Sequence, residues 1–257
     1  MIGLPPDLLA QLGGVLWSSF AVFLRVSALV SLLPAFGERS IPTRVKLGVA
    51  MAFTLVVAPS VSIAEPDSGL IPLVQLILTE ILIGLTLGIG LRLLVLALQT
   101  AGSMAAQATS LSQILGGAAA DPAPAMGHFL TLSGLALATL MGVHIRAAQF
   151  LIDSYSLFPV GAAPMATDLS RWGVSQVSRS FALAFGLAMP FVIASLIYNL
   201  ALGVINRAMP QLMVAFVGAP AITFAGLFLL FAGTPIILAV WSDVLFQYLL
   251  DPIGAPD

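Results

Sequence analysis

Three charged side chains inside long apolar segments are the residues of this sequence best placed to do chemistry. Arg25 lies in an apolar segment that covers about residues 12–33. Glu80 and Arg92 lie in a second segment that covers residues 70–98. A charge at the centre of a bilayer costs at least about 2.5–3.5 kcal/mol on insertion scales, so each needs a partner, a cavity or a headgroup. Arg25 either pairs inside the protein or lies off-centre and extends to the headgroups.

Glu80 and Arg92 cannot neutralise each other within one helix. At 100° and 1.5 Å per residue, their spacing sets the two side chains about 120° apart around the axis and about 18 Å apart along it. Glu80 is the more informative residue, because a carboxylate in an apolar helix requires a partner or a pore. Between them, Gly84 and Gly88 form a GxxxG pair, which is typical of close helix packing but common in membrane proteins with several spans.

Residues for enzymatic chemistry are scarce. The sequence has no cysteine, no HExxH motif and no phosphate-binding glycine loop, and its only lysine is Lys46. His128 and His144 are too few to make a metal site alone, and Ser110 and Ser112 have no base nearby. His144 is either a proton site or an interfacial side chain near the end of its apolar segment. We therefore predict a protein that is not an enzyme and binds no cofactor or metal, with an unusual intramembrane hydrolase as the enzymatic alternative.

Composition decides the class of protein. Of 257 residues, 60% are hydrophobic and only 8% are charged, and the mean hydropathy is +1.10. Soluble domains carry roughly 25% charged residues, so the sequence predicts an integral membrane protein. The net charge of −2, without a basic patch, argues against nucleic acid as a partner. The N-terminal segment has neither a basic start nor a small-residue cleavage site, which predicts that the first span itself directs insertion.

About six apolar segments are long enough to cross a bilayer core of about 30 Å as helices. We expect crossings near residues 12–33, 47–64, 70–98, 128–152 and 180–206, and a last apolar region after residue 212. Pro220 and Pro235 divide that last region, which predicts a kinked hairpin or a re-entrant turn plus a span. A short interfacial helix is expected around Trp172. The basic residues between 34 and 48 favour the cytoplasmic side for that connection.

Residues 99–127 connect two apolar regions and resemble neither of them. Polar side chains recur at helical spacing on one face, at Gln99, Ser103, Gln107 and Ser110. The following GGAAADPAP, residues 116–124, cannot continue a regular helix because of its paired glycines and close prolines. Non-helical backbone at membrane depth is tolerated only where protein buries it or where it lines a watery cavity. We therefore expect this stretch to lie at the inside of an assembly, held by the flanking helices.

The most specific pattern lies in the carboxyl-terminal third. The stretch from Asn199 to Pro220 reads NLALGVINRAMPQLMVAFVGAP, and it resembles the carboxyl-terminal signature of the family of the flagellar biosynthetic protein FliR. The turn residues that carry this resemblance are Asn206, Arg207, Pro210, Gln211, Gly218 and Pro220. Residues 25–47, the Asp121-Pro122 pair and residues 152–161 resemble the same family. The resemblance covers nearly the whole chain.

The resemblance implies a function and an assembly. Proteins of this family are single subunits of the export gate of the flagellar type III secretion apparatus. They assemble with FliP-like, FliQ-like and FlhB-like subunits inside the basal-body ring of the bacterial inner membrane, and unfolded flagellar proteins are their export substrates. The implied fold is all-α and built of bent helical hairpins. A FliP-like part would cover residues 1–127, and residues 128–257 would include a FliQ-like hairpin.

The resemblance also implies a gate and a role for the charges. In this family the loop after the third long helix acts as a plug, and here it corresponds to Gln107, Ser110, Leu111, Ser112, Gln113, Ile114, Leu115, Gly116 and Gly117. Small, uncharged side chains offer ions no hydration site and make few anchoring contacts, so such a segment can seal a pore and move aside. Arg25, Glu80 and Arg92 would form pairs within the subunit or between subunits.

Two alternatives stay open. A homologous gate subunit of a virulence injectisome shares this fold and much of the pattern, although NRxxPQL followed by VGxP favours the flagellar branch. An independent secondary transporter would use Arg25, Glu80 and Arg92 as a substrate or ion path, and would function as a monomer or homodimer.

Overall fold

A computed structural model describes residues 6–38, 40–61, 63, 69–109, 125–209 and 214–254 of the chain. Within these ranges the protein consists of helices and their connections, without a β-strand. The helices are α1 (Pro6–Val30), α2 (Thr43–Val57), α3 (Leu70–Thr109), α4 (Ala125–Leu140), α5 (Val143–Leu157), α6 (Ala166–Ala208) and α7 (Val214–Leu250), with a 3₁₀ turn at Ala58–Ser60. The predicted all-α class is confirmed.

Five of these helices are long and apolar enough to cross a membrane, and a sixth span results if α4 and α5 count as one broken crossing. This agrees with the expected number of apolar segments. Helices α3, α6 and α7 contain 40, 43 and 37 residues, which correspond to lengths of about 60, 64 and 55 Å. The hydrocarbon core of a bilayer is only about 30 Å thick, so upright helices of this length must extend well beyond it.

The expected span over residues 128–152 is not one continuous helix. The chain bends by 73° between α4 and α5. Gly142, which immediately precedes α5, has φ 81° and ψ 36°, a left-handed conformation that glycine adopts without steric cost. One glycine at this position therefore divides an apolar run that looks continuous in the sequence.

Two expectations for the carboxyl-terminal half are also wrong. The last apolar region is one continuous helix, α7, rather than a hairpin or a re-entrant turn divided at Pro220 and Pro235. Trp172 lies in the early turns of α6 instead of in a short interfacial helix of its own. Helix α6 also continues through Pro190. Ending the helix at Pro190 would leave several backbone groups without hydrogen bonds in apolar surroundings. This costs more than a local kink, so proline is tolerated inside such helices.

The chain divides into two compact units. The first unit contains residues 1–92, 138–175 and 245–257. Within it, a Cβ added at Gly84 would overlap the backbone of Arg25 and the methyl group of Ala28 in α1, and one at Gly88 would lie 3.0 Å from Leu32 Cβ. The GxxxG pair therefore lets α3 pack closely against α1.

The second unit contains residues 93–137 and 176–244. Here α3 is held by neutral contacts with other helices. Trp241 Nε1 of α7 donates a hydrogen bond to the Leu94 carbonyl at 2.8 Å, and Ser180 Oγ of α6 donates one to the Leu93 carbonyl at 3.0 Å. Gly226 of α7 packs directly on Thr109, the last residue of α3.

Candidate functional site

Arg25 and Glu80, which lie 55 residues apart in the chain, form an ion pair in the core of the first unit. Arg25 Nε lies 2.8 Å from Glu80 Oε2, and Arg25 Nη2 lies 3.1 Å from Glu80 Oε1. Both side chains are 0% exposed. The two nearly parallel hydrogen bonds make a bidentate pair, the strongest geometry for a guanidinium and a carboxylate. Two of the charges expected inside apolar segments, Arg25 and Glu80, therefore neutralise each other within one chain.

The remaining donors of Arg25 bind the end of α5. Arg25 Nη1 donates to both the carbonyl and the hydroxyl of Ser154 at 3.1 Å, and Arg25 Nη2 donates to the Phe158 carbonyl at 2.9 Å. The Tyr155 ring covers the guanidinium, with its centroid 3.8 Å from Cζ, a cation–π contact. A guanidinium has five N–H donors, and here each has an acceptor.

Glu80 also fixes the connection between α5 and α6, residues 158–165, which we call the α5–α6 connection. The Gly161 amide donates to Glu80 Oε1 at 3.2 Å, and Gly161 has a φ of +74°, which favours glycine. The ion pair thus joins α1, α3, α5 and the α5–α6 connection. Removing one partner of such a buried pair typically costs about 3–5 kcal/mol, because the other charge is left unpaired.

Arg92 makes a different and more exposed ion pair. Its Nη1 lies 2.6 Å from Glu38 Oε1, and the two side chains are 26% and 22% exposed. Next to it, Lys46 Nζ donates to the Gly37 carbonyl at 2.9 Å. These contacts attach the turn after α1 to α3 and to α2. Glu80 and Arg92 do not contact each other, as their helical spacing requires.

Comparison with known proteins decides the family. The chain matches the model of the family described as bacterial export proteins, family 1, over residues 16–248. The chain belongs to this export family. It is 35% identical to the flagellar biosynthetic protein FliR of Caulobacter vibrioides over 234 residues, which cover 90% of this chain and 93% of that protein.

Similar proteins named flagellar biosynthetic protein FliR occur in distant bacteria. The one from Escherichia coli K12 is 32% identical over 89% of this chain and 88% of its own length. The one from Bacillus subtilis is 30% identical over 77% of this chain and 79% of its own length. The likeness therefore extends over most of the chain and is not confined to one motif.

Most of the gate residues expected from the export family fall outside the described residues. These are Ser110, Leu111, Ser112, Gln113, Ile114, Leu115, Gly116 and Gly117. Gln107 is exposed near the end of α3. Helix α3 continues to Thr109, so the polar face that begins at Gln99 is helical as far as the structure describes it.

The helices on either side of residues 110–124 contact each other within the second unit. Gly102 of α3 packs against the backbone of Gly127 in α4, so that a Cβ added at Gly102 would lie 2.7 Å from the Gly127 nitrogen. A Cβ added at Gly127 would lie 3.1 Å from the Gln99 carbonyl oxygen. Two glycines therefore set a close helix contact near the base of the segment that joins α3 and α4.

The residues that resemble the family signature lie at the end of α6 and in α7, as far as the structure describes them. Asn206 and Arg207 are exposed in the last turn of α6, where a cation interacts favourably with the helix dipole. Pro210 and Gln211 lie outside the described residues, and Gly218 and Pro220 lie within α7.

Sequence reasoning did not assign roles to Ser154, Tyr155, Phe158 and Gly161. The run of residues 152–161 resembled the family, but no spacing rule connects it with Glu80, which lies 81 residues before Gly161. Glu38 was visible in the polar patch after the first span, without any sign that its partner would be Arg92. Pairing of this kind depends on the tertiary fold.

Proposed function

We propose that this chain is a structural and gating subunit of the flagellar type III protein export gate. The observation that carries the proposal is the similarity to flagellar biosynthetic proteins over about nine-tenths of both chains. The FliP-like, FliQ-like and FlhB-like subunits of the basal body would be its partners in the bacterial inner membrane, and unfolded flagellar proteins would pass through the shared pore. Residues 1–127 would be the FliP-like part, and residues 128–257 would contain the FliQ-like hairpin.

The lengths and surfaces of the last two helices support membership of a larger assembly. Large apolar side chains along α6 are exposed from Val177 at 42% to Ile205 at 45%, a distance of about 42 Å along a helix axis. A bilayer core of about 30 Å cannot cover such a length in an upright helix. Neighbouring subunits would cover the part that lipid does not reach.

The buried ion pair supports a structural role over the alternative of an independent transporter. A transported ion or substrate needs a charged group with a free donor or acceptor. All five donors of Arg25 are engaged, and both oxygens of Glu80 accept hydrogen bonds. This arrangement fits a permanent connection between helices.

We place the plug of the gate at Gln107 and residues 110–117. The glycine contact between α3 and α4 gives such a segment a fixed base. Deleting residues 111–119 in the assembled complex should raise small-ion conductance above background, with a Gly/Ser replacement of equal length as the control for chain connectivity. Background conductance in the deletion variant would mean that the plug lies elsewhere.

The assembly itself is the first test. A tagged copy would be co-expressed with its FliP-like and FliQ-like neighbours, extracted in mild detergent and measured by native mass spectrometry. We expect one copy of this chain in a large hetero-oligomer of defined composition. A free monomer or homodimer, with folded partners present, would favour the transporter instead.

A further inference from the structure

The first unit contains an open cavity of about 500 Å³ beside the buried ion pair. Its floor is formed by Ile83, Thr86 and Leu87 of α3. The α5–α6 connection forms one wall, and the start of α6 with Ile253 forms the other. Ligand pockets in proteins have volumes of roughly 300–1,000 Å³, so this cavity can accept several side chains.

One wall of the cavity is irregular backbone with free hydrogen-bonding groups. Ala162, Ala163, Pro164 and Met165 are neither helical nor paired with a strand. Within the described residues, the amides of Ala163 and Met165 and the carbonyl of Ala162 have no hydrogen-bond partner. Ala163 is exposed, and the Met165 side chain is 75% exposed. The wall is therefore open to a new partner.

This wall lies level with apolar parts of the neighbouring helices α1 and α3. Gly161 is fixed to Glu80, which lies about 15 Å along α3 from its first residue, Leu70. Arg25, the partner of Glu80, lies within the candidate span Leu12–Val30. Lipid tails cannot satisfy free amides and carbonyls, and irregular backbone at membrane depth is tolerated only where protein buries it or water reaches it.

The cavity also contains a carboxylate without a partner among the described residues. Asp168 lines it from the first turn of α6 and is exposed. Trp172 lies one turn further along and donates its indole N–H to the Pro252 carbonyl at 2.9 Å, which fixes the ring as part of the lining. A carboxylate near an indole face suits a Lys or Arg side chain.

We infer that this cavity is the docking site for an extended segment of a neighbouring subunit, which inserts an apolar side chain and places a Lys or Arg at Asp168. The segment pairs its backbone with residues 162–165 in the manner of an added strand. A neighbouring subunit fits better than an exported chain, because a resident subunit covers the free backbone groups continuously whereas a passing chain must be released. The inference rests on the proposed membership of a membrane assembly.

Photocrosslinking in the complete assembly tests this docking site. The probe is p-benzoylphenylalanine at position 163, in membranes that contain the co-expressed subunits. We expect one crosslink to a partner subunit, in a peptide with a Lys or Arg within two residues of the attachment point. Crosslinks to lipid alone, or no crosslink, in a complex that still co-purifies would overturn the docking site only. Failure of the chain to co-purify with any partner would overturn the proposed function.

Charge variants show whether Asp168 binds the segment. Asp168→Arg should lower the crosslink yield per assembled complex about tenfold or more, Asp168→Asn should lower it less, and Asp168→Glu should retain most of it. Asp153→Arg is the matched control, because Asp153 is an exposed carboxylate of α5 that does not line the cavity. An unchanged yield in Asp168→Arg would contradict the inference.

Discussion

The strongest polar contacts of helix α3 differ between the two units of the chain. In the first unit, the buried charges of Arg25 and Glu80 join α1, α3, α5 and the α5–α6 connection through hydrogen bonds of 2.8–3.2 Å. In the second unit, two neutral side chains, Ser180 and Trp241, each donate one hydrogen bond to a carbonyl of α3. A buried charge that loses its partner costs several kcal/mol, whereas a neutral hydrogen bond contributes about 0.5–1.5 kcal/mol net.

From this difference we expect different tasks for the two units. A charged network with every donor engaged is stable in one arrangement only, so the first unit is suited to serve as a fixed frame. The second unit contains the glycine contact next to residues 110–124, and its neutral contacts can be exchanged at low cost. We expect changes in the first unit to act on assembly and changes in the second to act on gating.

The largest effect is expected from Glu80→Ala. The substitution leaves the Arg25 guanidinium buried without its counter-charge, which should destabilise the first unit by about 3–5 kcal/mol. The fraction of tagged chain recovered in the native complex should fall strongly, before any change in conductance is seen. Normal recovery of the complex together with altered export would contradict a structural role of Glu80 in the first unit.

Two double variants sharpen this result. Exchanging the charges, with Arg25→Glu and Glu80→Arg, should not restore recovery, because the Phe158 carbonyl would then face a carboxylate and the Gly161 amide would face a guanidinium. The apolar pair Arg25→Met with Glu80→Leu should recover more complex than Glu80→Ala, since no unpaired charge is buried. Full rescue by the exchanged pair would show that only the two opposite charges matter, and that the hydrogen bonds to the Phe158 carbonyl and from the Gly161 amide do not.

A smaller and different effect is expected from Gly102→Val in the second unit. The new side chain would collide with the backbone of Gly127, which cannot rotate away, so the contact between α3 and α4 should open at a cost of about 1–3 kcal/mol. We expect raised ion conductance at nearly normal recovery of the complex. Gly186→Val in α6 is the matched control, because a Cβ at Gly186 would meet nothing within 4 Å. Equal conductance in the two variants would contradict a role of the glycine contact in gating.

The smallest effect is expected from removing single neutral hydrogen bonds. Ser180→Ala in the second unit and Tyr248→Phe in the first each remove one donor to a carbonyl of α3, at Leu93 and Leu87 respectively. Each loss should cost about 0.5–1.5 kcal/mol and lower the thermal midpoint of the purified complex by a few degrees. Similar shifts would attribute the difference between the units to the ion pair. A much larger shift for Tyr248→Phe would show that neutral hydrogen bonds also differ between the units, which would contradict that attribution.

Local patterns predicted the helices well and the breaks poorly. The apolar composition and the polar stripe from Gln99 correctly predicted helices, because these properties depend on neighbouring residues. The bend at Gly142 could not be predicted, since one glycine in an apolar run is compatible with either a straight helix or a turn. The opposite error concerns Pro220 and Pro235. They were expected to interrupt the helix, but apolar surroundings favour a continuous helix despite proline.

The candidate site was predicted by residue type but not by partner. Arg25 and Glu80 stood out because charges are costly in apolar segments. Their contacts with Ser154 and Gly161 could not be predicted, since they join residues 129 and 81 positions apart. Neither helical nor strand periodicity reaches over such distances.

The distance in sequence between the members of the ion pair also sets an order of events during synthesis. Glu80 is made 55 residues after Arg25, and Ser154 is made 129 residues after it. At about 5–20 residues per second, a nascent chain waits about 3–11 s for the first partner and about 6–26 s for the second. During that time the first helix contains a cation without its counter-charge, at a cost of at least about 2.5–3.5 kcal/mol in a bilayer. The network around Arg25 can therefore be completed only after α5 has been synthesised.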